Sequence, residues 1–196
     1  MRVAILRYNA GNVRSVETAL ERLGVSYVVT DQPAELLSAE RVIFPGVGEA
    51  SSAMRYLTER GLDRVIRDIQ APLLGICLGM QLLGEHSEEG KTRGLGIIPI
   101  SIRRFTKPRK IPHMGWSKTL LGTHPVFQGI EDEAYFYFVH SYRADVSDFS
   151  IATCVYEEPF AAAVARNNFV GVQFHPERSS DDGERILRNF LSWRGV

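Results

Sequence analysis

Short apolar runs and helical stripes alternate along the first half of the chain. Val3-Ala4-Ile5-Leu6 is a continuous apolar run of the kind buried on both faces of a sheet. Val13, Val16, Leu20 and Leu23 then recur at helical spacing, and Gly24 supplies the stop. Tyr27-Val28-Val29 is rich in strand formers, and Arg41-Val42-Ile43-Phe44 predicts another strand, ended by Pro45-Gly46. Met54, Leu57, Leu62, Val65, Ile66 and Ile69 predict one or two helices broken at Gly61. Pro72-Leu73-Leu74-Gly75-Ile76 reads as a further buried strand, followed by a helical Leu78 to Leu83. This strand–helix rhythm predicts an α/β, flavodoxin-like fold: a mostly parallel central sheet with helices on both faces.

The texture changes after Gly94-Leu95-Gly96. Strand-like segments lie around Ser101 to Phe105, Ala134 to Tyr142, Ile151 to Tyr156, Phe160 to Ala165 and Phe169 to Phe174. Turn signals at His124-Pro125, Gln128-Gly129 and Asn167-Asn168 separate some of them, predicting antiparallel or mixed pairing. Ser179-Ser180-Asp181-Asp182 opens a last helix with carboxylates at its positive end, and Ile186, Leu187, Phe190 and Leu191 form its buried stripe. Repeats and low-complexity tracts are absent, so one domain over residues 1–196 is expected.

Composition narrows the function classes. Lys+Arg and Asp+Glu both number 23, for a formal net charge of zero, so no bulk attraction to nucleic acid or to an anionic membrane is expected. Lys107-Pro108-Arg109-Lys110 is a short basic segment that reads as a solvated turn. Two cysteines are too few for a disulfide framework. The N-terminal apolar run is too short for a signal peptide, and nothing approaches the roughly 18 apolar residues needed to span a bilayer. A soluble, cytoplasmic chain is the expectation.

The sharpest chemical feature is Gly75-Ile76-Cys77-Leu78-Gly79 between an apolar strand and an apolar helix. It is a nucleophile elbow with sulfur in place of the serine oxygen. A sharp strand-to-helix turn leaves no room for Cβ atoms at its flanks. It also sets the sulfur at a helix N-terminus, which favours a thiolate, with the Leu78 N–H aimed at a developing oxyanion. Such a nucleophile needs a base, and the base an orienting group. Phe174-His175-Pro176-Glu177 offers both, since His175 and Glu177 share a side if the segment is extended. Pro45-Gly46-Val47-Gly48 adds accessible backbone N–H groups at the same sheet edge as Cys77. Cys154, inside an apolar run, reads as structural. No His/Cys cluster has ligand spacing, so neither a metal nor another cofactor is expected.

Together, Gly75-Ile76-Cys77-Leu78-Gly79-Met80-Gln81 and His175-Pro176-Glu177 resemble the class I, triad-type glutamine amidotransferases. Pro45-Gly46-Val47-Gly48, Pro112-His113-Met114-Gly115-Trp116 and Tyr137-Phe138-Val139-His140-Ser141-Tyr142 narrow the likeness to the glutaminase subunits of imidazole glycerol phosphate synthases. The likeness extends over essentially the whole chain. It implies a glutaminase that takes L-glutamine and feeds ammonia to a cyclase subunit, a (β/α)8 barrel, in histidine biosynthesis. In that reading Cys77 attacks the side-chain amide, His175 is base and then acid, and Glu177 orients His175. The amides of Leu78 and Val47 form the oxyanion hole, with the Gly46–Val47 peptide as a switch. Gln81, Glu89, His140, Ser141 and Tyr142 recognise glutamine, Glu89 meeting its α-ammonium. The partner-facing side takes in Asn9 to Asn12, Trp116, Tyr137 and Arg178, the last at a position where relatives also carry lysine. Arg7-Tyr8-Asn9-Ala10 departs from the texture expected after the first strand.

Three other readings are compatible with the motifs. They are a flavodoxin-like cysteine peptidase or hydrolase, the glutaminase component of another amidotransferase, and a non-catalytic α/β module carrying an elbow by chance. Met80-Gln81 after the elbow and the His-Pro-Glu link favour the amidotransferase.

Overall fold

A computed structural model describes residues 1–107 and 110–195. The middle of the expected basic turn, Pro108-Arg109, lies outside the described residues. In chain order the elements begin β1 (Val3–Leu6), α1 (Val13–Arg22), β2 (Tyr27–Thr30), α2 (Pro33–Leu37) and β3 (Arg41–Phe44). They continue with α3 (Ala50–Glu59), α4 (Leu62–Asp68), β4 (Leu73–Ile76) and α5 (Leu78–Leu82). Two short strands, β5 (His86–Ser87) and β6 (Thr92–Arg93), precede β7 (Ser101–Arg104) and β8 (His113–Leu121). Then come β9 (Glu133–His140), β10 (Tyr142–Ala144), β11 (Ser150–Tyr156), β12 (Glu158–Arg166), β13 (Phe169–Val172) and α6 (Ser180–Ser192).

The order β2-β1-β3-β4-β13 is parallel throughout, and the sheet then turns antiparallel through β12 and β10. A hairpin of β8 and β9 joins through β11. Alternation along the buried strands separates two cores. Val3 and Ile5 face α1 and α6, packing with Val16, Leu20, Ile186, Leu187 and Phe190. Ala4 and Leu6 face the other layer with Leu36, Leu57, Ile66 and Leu82 from α2 to α5. Parallel strands covered on both faces explain why their sequences are unbroken apolar runs.

The expected elements of the first half are present, and Gly61 interrupts α3 and α4 in left-handed backbone (φ 67°). Strands β5 and β6 are not expected from the sequence, β13 stops at Val172 short of the expected Phe174, and further features differ from the sequence reading. Helix α2 carries one buried residue, Leu36, too short a stripe for periodicity to register. Strand β8 alternates exposed Met114, Trp116, Lys118 and Leu120 with less exposed neighbours, and its polar positions mask the strand pattern. The expected Ala134 to Tyr142 strand is split at Ser141 into β9 and β10. Among the described residues no helix is long and apolar enough to cross a membrane.

Parallel winding places the C-terminal ends of β1, β3, β4 and β13 along one edge, the place where open α/β sheets bind ligands. The segments leaving that edge carry Tyr8, Pro45 to Gly48, Cys77, and Gln173 to Glu177. An aromatic cluster backs it: Phe160 meets Phe105 and Phe138 edge-on (centroids 5.5 and 5.6 Å) and lies 5.1 Å from His140. Replacing the fully buried Phe160 with alanine is expected to destabilise the protein by about 3–5 kcal/mol, measured by urea unfolding. A loss under about 1 kcal/mol would show that this cluster is not load-sharing core.

Candidate active site

Cys77 sits between β4 and α5 with φ 53° and ψ −107°, a backbone conformation that L-residues rarely adopt. Its N–H donates to Val172 O at 2.8 Å and its carbonyl accepts from Gln81 N at 3.1 Å, so both sides of the bend are held. The flanking glycines are steric requirements. A Cβ on Gly79 would stand 1.8 Å from Phe44 O, and one on Gly75 2.8 Å from Met80 N.

His175 and Glu177 meet, although not through strand alternation. Pro176–Arg178 is a turn of 3-10 helix, and it folds Glu177 back so that Oε1 lies 2.8 Å from His175 Nδ1. Asn12, expected on the partner-facing side, donates from Nδ2 to the same Oε1 at 2.6 Å. It holds left-handed backbone ahead of α1 and offers no capping bond to that helix. Burial alone would lower the pKa of His175, but its interactions with Cys77 and Glu177 outweigh burial and raise it to about 10. The direction of that shift favours an imidazolium at His175, between Cys77 and the Glu177 carboxylate.

The two amides expected to bind an oxyanion do not converge. Leu78 N–H donates to Gly46 O at 3.3 Å, so the carbonyl of the Gly46–Val47 peptide occupies the place of the hole. In a trans peptide the N–H points opposite to the C=O, and Val47 N–H therefore faces away. The Val47 carbonyl accepts from Gly11 N at 3.3 Å, and Tyr8 OH donates to Pro45 O at 2.8 Å. Tyr8, noted in the sequence only within an atypical stretch after the first strand, has no expected role in the site, yet it lies against this turn. It packs so closely that a Cβ on Gly46 would lie 2.1 Å from its hydroxyl oxygen.

Val47, Gly48, Cys77, Leu78, Gln81, Glu89, Pro112, Val139, His140, Ser141 and Tyr142 line one cavity of about 310 Å³. It brings together the five residues expected to recognise glutamine, with the sulfur. Two of them also have structural tasks. Glu89 accepts from Ala50 N at 2.8 Å, capping α3, and burial raises its pKa. His140 donates from Nδ1 to Tyr142 O at 2.7 Å, so its Nε2 is an acceptor for His113 Nδ1 at 3.0 Å. Both rings are held neutral by burial, with pKa values pulled down to about 3 for His140 and about 4 for His113. Burial pushes the Cys154 thiol up to about 11, in keeping with a structural cysteine.

Trp116 and Tyr137 are direct partners across β8 and β9, with centroids 6.2 Å apart, and the Arg178 guanidinium lies 5.7 Å from the Tyr137 ring. Trp116 and Met114 are exposed on this outer side. The backbone of Tyr137 is tied to the turn that carries His175 and Glu177: its carbonyl accepts from His175 N at 2.9 Å and its N–H donates to Ser179 Oγ at 3.0 Å. Ser179 thus spends its hydroxyl on the turn rather than on capping α6.

Comparisons with known proteins bear on the family and the fold. A family model described as glutamine amidotransferase class-I matches residues 5–193. The imidazole glycerol phosphate synthase subunit HisH of Bacteroides thetaiotaomicron is 48% identical over 194 residues, covering 97% of this chain and 99% of the relative. The protein of that name from Vibrio cholerae is 46% identical over 197 residues, covering 96% and 97%. Among solved structures, one described as a glutamine amidotransferase superposes with TM-score 0.76 at 19% identity, covering 97% of each chain. A glutamine amidotransferase from Thermotoga maritima has TM-score 0.65 at 18% identity, covering 98% of this chain and 83% of that one. At that identity these two support the fold alone.

The His175 pair has a pH signature. Its imidazole keeps its proton up to about pH 10 when folded, against about 6.5 for an unfolded histidine. The pair's contribution to stability is therefore complete below about pH 6.5 and is lost as pH climbs through 10. Urea unfolding should give a stability difference between the native chain and His175→Gln that is flat at low pH and falls between pH 7 and 10. Parallel pH profiles for the two proteins would contradict the pair.

Proposed function

The chain belongs to the class-I glutamine amidotransferases, and from that premise we propose that it is the glutaminase subunit of an imidazole glycerol phosphate synthase. The whole chain acts as one amidotransferase domain, in a cytoplasmic heterodimer with a (β/α)8-barrel cyclase. The observation that carries the reading is the sulfur of Cys77, held in strained backbone beside an imidazole that is braced by Glu177. The identity to HisH subunits over nearly the full chain supports the choice of partner.

Glutamine binds with its α-ammonium toward Glu89 and its carboxamide over the sulfur. The Cys77 thiolate attacks the amide carbon, forming the S–C bond and a tetrahedral oxyanion. His175 delivers its proton to the amide nitrogen, the C–N bond breaks, and ammonia leaves a γ-glutamyl thioester. Water then attacks the thioester carbon while His175 takes its proton, the S–C bond breaks, and glutamate departs. Glu177 and Asn12 hold the imidazole in register through both transfers.

Oxyanion stabilisation requires the Gly46–Val47 peptide to turn over, replacing a carbonyl beside Leu78 N–H with the Val47 N–H. We assign that rotation to docking of the cyclase with its nucleotide ligand on the Trp116, Tyr137 and Arg178 side. The logic is economy of ammonia: protonated in bulk water it is no nucleophile, so it should be released only when a water-excluded passage into the barrel is in place.

Glutamate release by the isolated chain is expected to be low and to rise by about 10²–10³-fold with the cyclase and its nucleotide ligand, the effect of gaining one oxyanion donor. Cys77→Ser should abolish release, and diazo-oxo-norleucine should label Cys77 in the native complex. Equal release with and without the partner would contradict the switch; labelling elsewhere would contradict the nucleophile. Gly46→Ala should suppress the stimulation, since the added methyl meets the Tyr8 hydroxyl and Leu78.

A further inference from the structure

Two neighbours act on the Cys77 sulfur in opposite senses. The Val139 carbonyl, 3.9 Å away, accepts from the S–H and so favours the protonated thiol. Gln173 Nε2 lies 3.6 Å from the same sulfur, within the longer reach of hydrogen bonds to sulfur, and an N–H donor favours the thiolate. Gln173 follows β13, two residues before His175, and is fully buried. The mechanism above gives it no role.

The network behind Gln173 decides which end of its amide faces the sulfur. The Tyr142 carbonyl can only accept, so the Gln81 atom 3.1 Å from it must be the amide nitrogen. The second hydrogen of that NH2 is directed at Gln173 Oε1, 2.9 Å away. Turning Gln173 over would set two buried NH2 groups against each other and lose the bond between Gln81 and Gln173. The carbonyl of Gln173 therefore faces Gln81, and its NH2 faces the sulfur. The Tyr142 carbonyl is itself anchored from the other side by His140 Nδ1, which leads on through His113 to the Ser117 hydroxyl.

We propose that Gln173 is a positioning residue for the nucleophile, a buried carboxamide aimed by Gln81 and the Tyr142 carbonyl, whose N–H holds the Cys77 sulfur as thiolate. The inference rests on Cys77 being the nucleophile of the proposed function. It also makes Gln81 a support for Gln173 as well as a wall of the substrate cavity.

The test is the pH dependence of Cys77 alkylation by iodoacetamide in the full chain, read on the Cys77 peptide by mass spectrometry so that Cys154 does not contribute. The other groups near the sulfur are His175 braced by Glu177, Tyr8 from the end of β1, His140 from β9 and Glu89 across the cavity. None of them is substituted in the variants. Gln173→Met, similar in shape but without a donor, should move the half-maximal pH up by about one unit, a tenfold loss of thiolate at a given pH. Gln173→Glu, which turns an oxygen toward the sulfur, should move it up further. Gln81→Met, which leaves Gln173 present but unaimed, should move it in the same direction by less. In the cyclase complex, Gln173→Met should lower kcat about tenfold with the KM for glutamine little changed. A folded Gln173 variant with an unmoved midpoint overturns the proposal. Should both Gln173 variants fail to fold, an unmoved midpoint in Gln81→Met overturns it. Absence of Cys77 alkylation in the native chain at every pH would instead overturn the proposed function.

Discussion

One backbone conformation, the left-handed bend at Cys77, is the constraint on which the rest of the site depends. A non-glycine residue held there costs of order 1–3 kcal/mol, and it persists only where the surroundings over-determine it. They do so here from both sides. Strand β4 is buried between β3 and β13, and α5 is pressed onto Phe44 so closely that only glycine fits at position 79. The bend lifts the sulfur out of the sheet edge, toward the imidazole on one side and the substrate cavity on the other.

Strand β9 links the chemistry to the exposed outer face. Its Val139 carbonyl reaches the Cys77 sulfur, and the Tyr137 backbone grips the turn that carries His175 and Glu177. Its neighbour β8 presents Met114 and Trp116 outward. A partner pressing on this hairpin would therefore act directly on the strand that touches Cys77 and His175 alike. The Pro45–Val47 turn, pinned by Tyr8, Gly11 and Leu78, is the element that the proposed switch would require such a push to bias.

Much of the parallel half was legible because strands buried on both faces must be continuous apolar runs, and helices on a sheet must show a 3.6-residue stripe. The elbow was legible because close packing of strand, turn and helix leaves glycine as the only residue that fits its flanks. What the sequence could not show is set by contacts between distant segments. Asn12 lies 165 positions from Glu177, and only the fold brings its amide to the carboxylate. The meeting of His175 and Glu177 was foreseen, but through alternation in an extended segment, whereas Pro176 starts a turn that delivers the contact. Gln173 did leave a trace: a lone amide inside the apolar run Phe169-Val170-Gly171-Val172-Gln173-Phe174, where burial demands a polar partner. Strand β8 went unread because a hairpin with one outward face mixes apolar and charged residues on that face.

The chemistry proposed for this site requires the sulfur at the bend to become covalently bonded to the side-chain carboxamide carbon of glutamine. Acid-quenched mass spectrometry of the complex during glutamine turnover tests it most directly. A γ-glutamyl thioester is expected on the peptide containing Cys77, absent when Cys77 is replaced. Steady glutamate production with that peptide unmodified, or with the glutamyl group on any other residue, would contradict it.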